Sequence, residues 1–296
     1  MARVGLIGCG LMGTAVAQRL VAAGFEVLAY DIDAAKREAI ARTGASAEPV
    51  ASVVIAGCEI NVICVFDTQQ VENVIAGPGG GLDAIAQGGA GTRIFVVSTT
   101  CDPGKLAALA ARVAPSGAVV VEYPVSGTSR QVARGEGVGL TGGDPALIER
   151  AAPVLDAICA RRHYLGEVGN ASRAKLAVNL ILGLNRAALA EGLVFAARLG
   201  LDPVAFLEVA RGSAAYSAVM DVKGTPMAKR EYANVQSRVD QSLKDFTLML
   251  EQARAQGQVL PFASVYARMM EDCLAHGEGE WDNAAILEAI ARMRVK

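Results

Sequence analysis

Arg3-Val4-Gly5-Leu6-Ile7-Gly8-Cys9-Gly10-Leu11-Met12-Gly13 opens the chain with a short apolar run that ends in a G-x-G-x-x-G turn. A helical pattern follows over residues 14–23 and stops at Gly24. The three glycines differ in what they permit. Gly8 allows the tight turn, Gly10 lets the backbone approach a pyrophosphate, and Gly13 lets the helix pack close on the strand. Leu11 and Met12 belong to the same turn, where helix N-terminal amides face the anion. Glycine turns also occur without a ligand, so the context decides. A second strand, Glu26 to Tyr30, ends at Asp31, 18 positions beyond Gly13, where a carboxylate can accept both ribose hydroxyls of a dinucleotide. That charge repels a 2′-phosphate, and the neighbouring Ile32 brings no arginine to neutralise one. The reading is therefore NAD, with NADP the weaker candidate.

Working outward, strand-like runs recur at 60–65, 93–97, 118–122 and, more weakly, 137–140 and 161–165. Between them lie helical patterns at 34–43 behind the N-cap Asp33, at 69–76, and at 102–113 with Pro103 in the first turn. Strands alternating with helices over this length predict a Rossmann-type, doubly wound parallel sheet. Ligands in such sheets bind beyond the carboxyl ends of the strands. That points to Val65-Phe66-Asp67 after one strand and to Ser98-Thr99-Thr100 after another as candidate cofactor contacts, although hydroxyls there are also common turn formers and Asp102 reads as an N-cap. The run Glu122-Tyr123-Pro124-Val125-Ser126-Gly127-Thr128 is a small-residue loop whose backbone amides can hold an oxyanion.

From Gly166 onward the pattern is helical throughout, so the predicted division is a dinucleotide-binding domain over 1–165 and an all-α domain over 166–296. The second begins with Gly166-Glu-Val-Gly-Asn-Ala-Ser-Arg-Ala-Lys175-Leu-Ala-Val-Asn179, a glycine-punctuated loop running into a long apolar helix. Lys175 and Asn179, four apart, share one helical face and offer an ammonium and an amide to whatever lies beside them. On these residues alone, Lys175 reads either as a chemical group or as a core-helix lysine reaching solvent.

Composition narrows the chemistry. Over 296 residues the net charge is −2 and 52% of residues are hydrophobic, which predicts a soluble globular protein with small partners and no affinity for nucleic acid or membranes. The longest run free of charges, 4–18, is too short to span a bilayer. Six cysteines without ligand spacing fit reduced thiols in a cytoplasm, and two histidines, His163 and His276, support neither a metal site nor a His-based triad.

Four motifs in this order resemble the β-hydroxyacid dehydrogenase family, which includes 3-hydroxyisobutyrate dehydrogenase and tartronate semialdehyde reductase. They are Gly5 to Gly13, Pro124-Val125-Ser126-Gly127, the Gly166/Gly169 loop with Lys175 and Asn179, and Lys244-Asp245-Phe246, similar to the family's Lys-Asp-Leu. The resemblance implies an NAD(P)-dependent oxidoreductase of a small β-hydroxy acid. Lys175 would be its general acid/base and Asn179 would hydrogen-bond the substrate. Ser126, Gly127 and the adjoining Thr128 would hold the carboxylate, and Lys244 would serve both substrate and nicotinamide. It also implies a homodimer or homotetramer.

The departures are local. Glu122-Tyr123 stands where the family usually has Asp-Ala, Thr128 replaces a glycine, Ala171 replaces a glycine, Val178 replaces an asparagine, and Arg130 introduces a cation that is either a substrate ligand or a surface arginine. Candidate substrates on this reading are 3-hydroxyisobutyrate, glycerate, 4-hydroxybutyrate, threonate or a larger β-hydroxy acid. The rival readings are an imine or semialdehyde reductase of the same superfamily and a non-catalytic NAD-binding module. An imine reductase generally lacks the lysine.

Overall fold

The valine, isoleucine and leucine runs of the first half become the strands of one parallel sheet in a computed structural model that describes residues 2–87 and 91–294. In chain order the elements are β1 (Arg3–Ile7), α1 (Leu11–Ala22), β2 (Glu26–Tyr30), α2 (Ala34–Ala41), β3 (Ser46–Ala47), α3 (Ala51–Gly57), β4 (Ile60–Ile63), α4 (Thr68–Ala76), α5 (Gly81–Ala86), β5 (Arg93–Val97), α6 (Pro103–Val113) and β6 (Ala118–Glu122). The sheet order is β3-β2-β1-β4-β5-β6, so the direction of winding reverses between β1 and β4.

Both faces of the sheet are covered, which is why its central strands are mostly apolar, with Asn61 of β4 and Glu122 at the end of β6 as buried polar exceptions. Leu6, Val62, Ile94 and Val96 pack on one side with Val16 and Leu20 of α1, while Ile7, Ile63, Phe95 and Val97 pack on the other with Ile55 of α3, Ile75 of α4 and Leu106 of α6. The register aligns Tyr30, Ile7, Ile63, Val97 and Glu122 in one row. Gly8, Asp31, Cys64, Ser98 and Tyr123 therefore all leave the sheet at the same level, on its carboxyl edge.

The next elements are β7 (Val125–Ser126), α7 (Ser129–Ala133), β8 (Val138–Thr141), α8 (Pro145–Ile158) and β9 (Arg161–Tyr164). Runs 137–140 and 161–165 do form strands, but they do not extend the large sheet. They make a separate sheet in the order β7-β8-β9, linked to β6 through a bridge between Glu122 and Gly142. β7 and α7 lie inside what reads in the sequence as a plain loop; a two-residue strand and a five-residue helix are too short to show a period.

The remaining elements are helical: α9 (Asn170–Arg198), α10 (Pro203–Arg211), α11 (Thr225–Lys229), α12 (Val239–Ala255), α13 (Pro261–Ala275) and α14 (Ile286–Arg292). The chain divides into two compact units, Met1–Lys175 and Leu176–Lys296, and the division falls within α9. The second unit has its own core, with Leu193, Leu207, Met227, Phe246, Tyr266, Met270 and Ile286 almost fully buried. A wide π-turn at Met220–Gly224 runs directly into α11, so the helical segment continues past Pro226. Lys223 in that turn is buried and donates to both oxygens of Asp282 at 2.7 Å. Burial pushes the Asp282 carboxyl up, but Lys223 and the amides of Gln236 and Ala284 outweigh it and leave its pKa below the ordinary aspartate value.

Candidate active site

The glycine turn is built as its spacing predicts. Gly8 has φ +98° and donates its N–H to Tyr30 O at 2.8 Å, and a Cβ there would meet Cys64 O at 2.4 Å. A Cβ on Gly13 would stand 1.9 Å from Gly8 O, so α1 seats on the turn only through a glycine. Gly10 differs: a Cβ there meets nothing within 4 Å, and as N-cap of α1 it supplies no side-chain acceptor to the helix amides. An uncapped helix N-terminus beside open space fits a pyrophosphate, which the amides of Gly10, Leu11, Met12 and Gly13 would hold.

Asp31 is buried, and its two oxygens accept N–H groups from Cys9 at 2.7 Å and Asp33 at 2.9 Å. Each carboxylate oxygen retains a further lone pair for a ribose hydroxyl. The sequence reading finds no arginine here, and the fold supplies one. Arg37, one turn into α2, folds back so that Nη1 donates to Asp31 O at 2.7 Å and Ile32 O at 3.2 Å, with its guanidinium 5.9 Å from the Tyr30 ring centre. A cation six positions along the chain is invisible to a search of the immediate neighbour. Cys9, inside the turn, is no nucleophile: burial, aided by the Asp31 charge, pushes its thiol up to about 12.

Beyond β4 and β5, Thr99 fixes the neighbouring loop. Its hydroxyl accepts from Val65 N at 3.1 Å and lies 3.0 Å from Val65 O. Val65 and Phe66 thus leave β4 in a defined direction, with Phe66 exposed; Thr100 follows Thr99 directly. Asp67 and Asp102 cap α4 and α6.

Lys175 does not reach solvent. It is 7% exposed, and Nζ donates to Val125 O at 2.7 Å. This sets an ammonium against the segment that continues into Ser126 and Gly127. Gly127 has φ +144°, a conformation suited to glycine. Thr128 caps α7 in a reciprocal box: its Oγ1 accepts from Gln131 N at 3.3 Å, and its own N–H donates to Gln131 Oε1 at 2.9 Å. Its amide is thereby engaged inside the loop. Arg130 is exposed on α7. Tyr123 is wholly buried and donates its hydroxyl to Leu155 O at 2.7 Å, which makes it an anchor on α8; a Cβ on Gly139 would stand within 2.5 Å of its ring.

In the second unit, Asn179 donates Nδ2 to Asp245 Oδ2 at 2.9 Å, and Lys244 Nζ lies 2.9 Å from Asp245 Oδ1. Asp245, absent from the sequence-derived site, is the group that joins the two predicted residues. Its signal is its place in the Lys244-Asp245-Phe246 motif. Phe246 seats α12 on α9: it stacks on Tyr266 with ring centres 3.9 Å apart, and only a glycine at 183 leaves room for its ring.

A doubly wound nucleotide fold with an uncapped glycine turn at its switch point, followed by an all-helical unit and a lysine buried early in the intervening helix, defines a class of dinucleotide-dependent oxidoreductases. Residues 3–166 match the family described as the NAD binding domain of 6-phosphogluconate dehydrogenase. Residues 169–290 match that described as NAD-binding of NADP-dependent 3-hydroxyisobutyrate dehydrogenase. The chain belongs to the β-hydroxyacid dehydrogenase family, NAD(P)-dependent oxidoreductases that act on the CH–OH group of hydroxy acids.

Among its relatives, L-threonate dehydrogenase of Cupriavidus necator is 32% identical over 96% of this chain and 95% of its own. Glyoxylate/succinic semialdehyde reductase 2 of Arabidopsis thaliana is 31% identical over 97% of this chain and 79% of its own. The crystal structure of 3-hydroxyisobutyrate dehydrogenase from Salmonella typhimurium superimposes with a TM-score of 0.88 at 26% identity, covering 97% of this chain and 99% of that one.

Proposed function

We propose that this chain interconverts a small β-hydroxy acid of the 3-hydroxyisobutyrate kind and its semialdehyde, with NAD preferred over NADP and Lys175 as general acid/base. The observation that carries the proposal is the buried Lys175 Nζ held 2.7 Å from Val125 O, beside Ser126 and Gly127. When bound, the nicotinamide takes up or returns the hydrogen of the carbinol carbon with its electron pair. Lys175 moves the proton. It accepts the hydroxyl proton during oxidation, and in the reverse direction it donates to the forming alkoxide, whose charge an ammonium at hydrogen-bond distance stabilises. Ser126 and Gly127 bind the substrate carboxylate through the turn of the loop. Asn179, one turn beyond Lys175 on α9, orients the substrate and is itself held by Asp245. Lys244 serves the cofactor side.

The preference for NAD rests on the Asp31 carboxylate, with Arg37 turned onto main-chain carbonyls. The relative named as a semialdehyde reductase supports the reductive direction as a second physiological reading of the same site. The six free cysteines support a reducing, cytoplasmic setting. A homo-oligomer is supported by α9, which leaves Ile181 61% and Phe195 63% exposed.

A panel of 3-hydroxyisobutyrate, glycerate, 4-hydroxybutyrate and threonate, each with NAD+ and with NADP+, tests this by formation of the reduced cofactor. Turnover of at least one acid with NAD+ is the expected result. Binding of nucleotide with no turnover of any acid would instead indicate a non-catalytic module.

A further inference from the structure

Glu122 is fully buried at the end of β6, and no part of the proposed chemistry uses it. Its carboxylate faces the start of α9. Oε2 accepts from Gly169 N at 2.6 Å and Ala171 N at 3.1 Å, while Oε1 accepts from Ser172 N at 3.1 Å and Ser172 Oγ at 2.5 Å. First-turn amides have no acceptor inside their own helix, and an anion at this end also opposes the helix dipole favourably. The space is reserved for it: a Cβ on Gly142 would stand 2.5 Å from Oε2.

We propose that Glu122 is the positioning residue of Lys175. Ser172 and Lys175 are three apart on α9 and so share a face, and Glu122 and Val125 are three apart on the opposing segment. Two pins thus join the same pair of segments: Glu122 to Ser172, and Lys175 to Val125 O. The first pin sets the height and rotation of the helix at which the second meets its carbonyl. Without it, the buried donors of Gly169, Ala171 and Ser172 lose their acceptor, the first turn of α9 rotates or frays, and Nζ leaves its place beside Ser126.

This inference rests on Lys175 being the acid/base, so Lys175→Met is measured alongside. Glu122→Gln keeps shape but turns an NH2 group toward amide donors; Glu122→Asp keeps the charge on a shorter arm. With the panel acid that turns over fastest, Glu122→Gln is expected to lower kcat at least tenfold while KM for NAD+ stays within twofold. Glu122→Asp recovers part of that loss, and a crystal structure of Glu122→Gln shows the Nζ–Val125 O contact broken. Wild-type kcat in Glu122→Gln, with that contact intact, overturns the proposal, as does equal damage to kcat and nucleotide binding. If Glu122→Gln does not accumulate as folded protein, Ser172→Ala decides: at least a threefold fall in kcat is expected, and an unchanged kcat overturns it. Full turnover in Lys175→Met would instead refute the acid/base reading and leave a crystallographic shift of Lys175 as the measure of Glu122 alone.

Discussion

Asp31 concentrates the question of cofactor choice in one carboxylate. Its oxygens already hold the amides of Cys9 and Asp33, so it shapes the turn as well as being the proposed acceptor for the ribose. Asp31→Asn keeps the shape and removes the charge. The expected outcome is a shift of at least about tenfold, or 1.4 kcal/mol, in the ratio of kcat/KM for NADP+ to that for NAD+, in favour of NADP+. An unchanged ratio would mean that Arg37 or another group governs the choice. At this scale the sequence is legible where chemistry depends on local spacing, as with Gly8, Gly10, Gly13 and Asp31. It is silent where chemistry depends on which residues the fold brings together. Glu122 under α9 is a tertiary partnership, Asp245 is marked by its motif but not as the partner of Asn179, and Arg37, only six positions from Asp31, reaches that loop through the fold-back of its own side chain. Tyr123 departs from the family's usual residue without a sequence signal for its role, and its hydroxyl is satisfied inside the core by Leu155 O.

Among the elements, the glycine turn and α1 separate folding from binding, because two glycines three apart do different work. A Cβ at 13 collides with Gly8 O, whereas a Cβ at 10 enters open space. Gly13→Ala should therefore destabilise the protein by about 1–3 kcal/mol, the usual cost of overpacking, read as a lowered midpoint in urea. Gly10→Ala should cost about 1 kcal/mol or less for the poorer N-cap and should weaken NADH binding, read by fluorescence titration, far more than it weakens the fold. Equal effects of the two variants on stability and binding would contradict this division. Helix α9 shows the limit of pattern reading. Its length and apolar character are legible; the device that fixes its first turn is not, since the carboxylate arrives from a strand 50 positions before Ser172.

For the whole molecule, the change from alternating strands and helices to helices alone is plain in the sequence, and residues 3–166 and 169–290 match two successive family regions. The separate β7-β8-β9 sheet is not, because strands alternating with helices look the same whether they extend one sheet or start another. The outward face of α9 carries the prediction of assembly. By length and composition α9 is apolar enough to cross a bilayer, yet Leu189 and Leu193 on it are buried in the second unit's own core, and a second copy of the chain is the proposed cover for Ile181 and Phe195. Light scattering in detergent-free buffer should give a dimer or tetramer, and Ile181→Glu with Phe195→Glu should lower the mass to that of one chain. A wild-type monomer, or a requirement for detergent, would contradict it. The central claim is that a buried ammonium does the proton chemistry of a hydroxy acid dehydrogenase. Its most direct test is kcat of Lys175→Met on the fastest panel acid, with NADH binding measured on the same preparation. The expected result is a loss of about 10²-fold or more with nucleotide affinity within twofold of wild type; near-full turnover by Lys175→Met would contradict the claim.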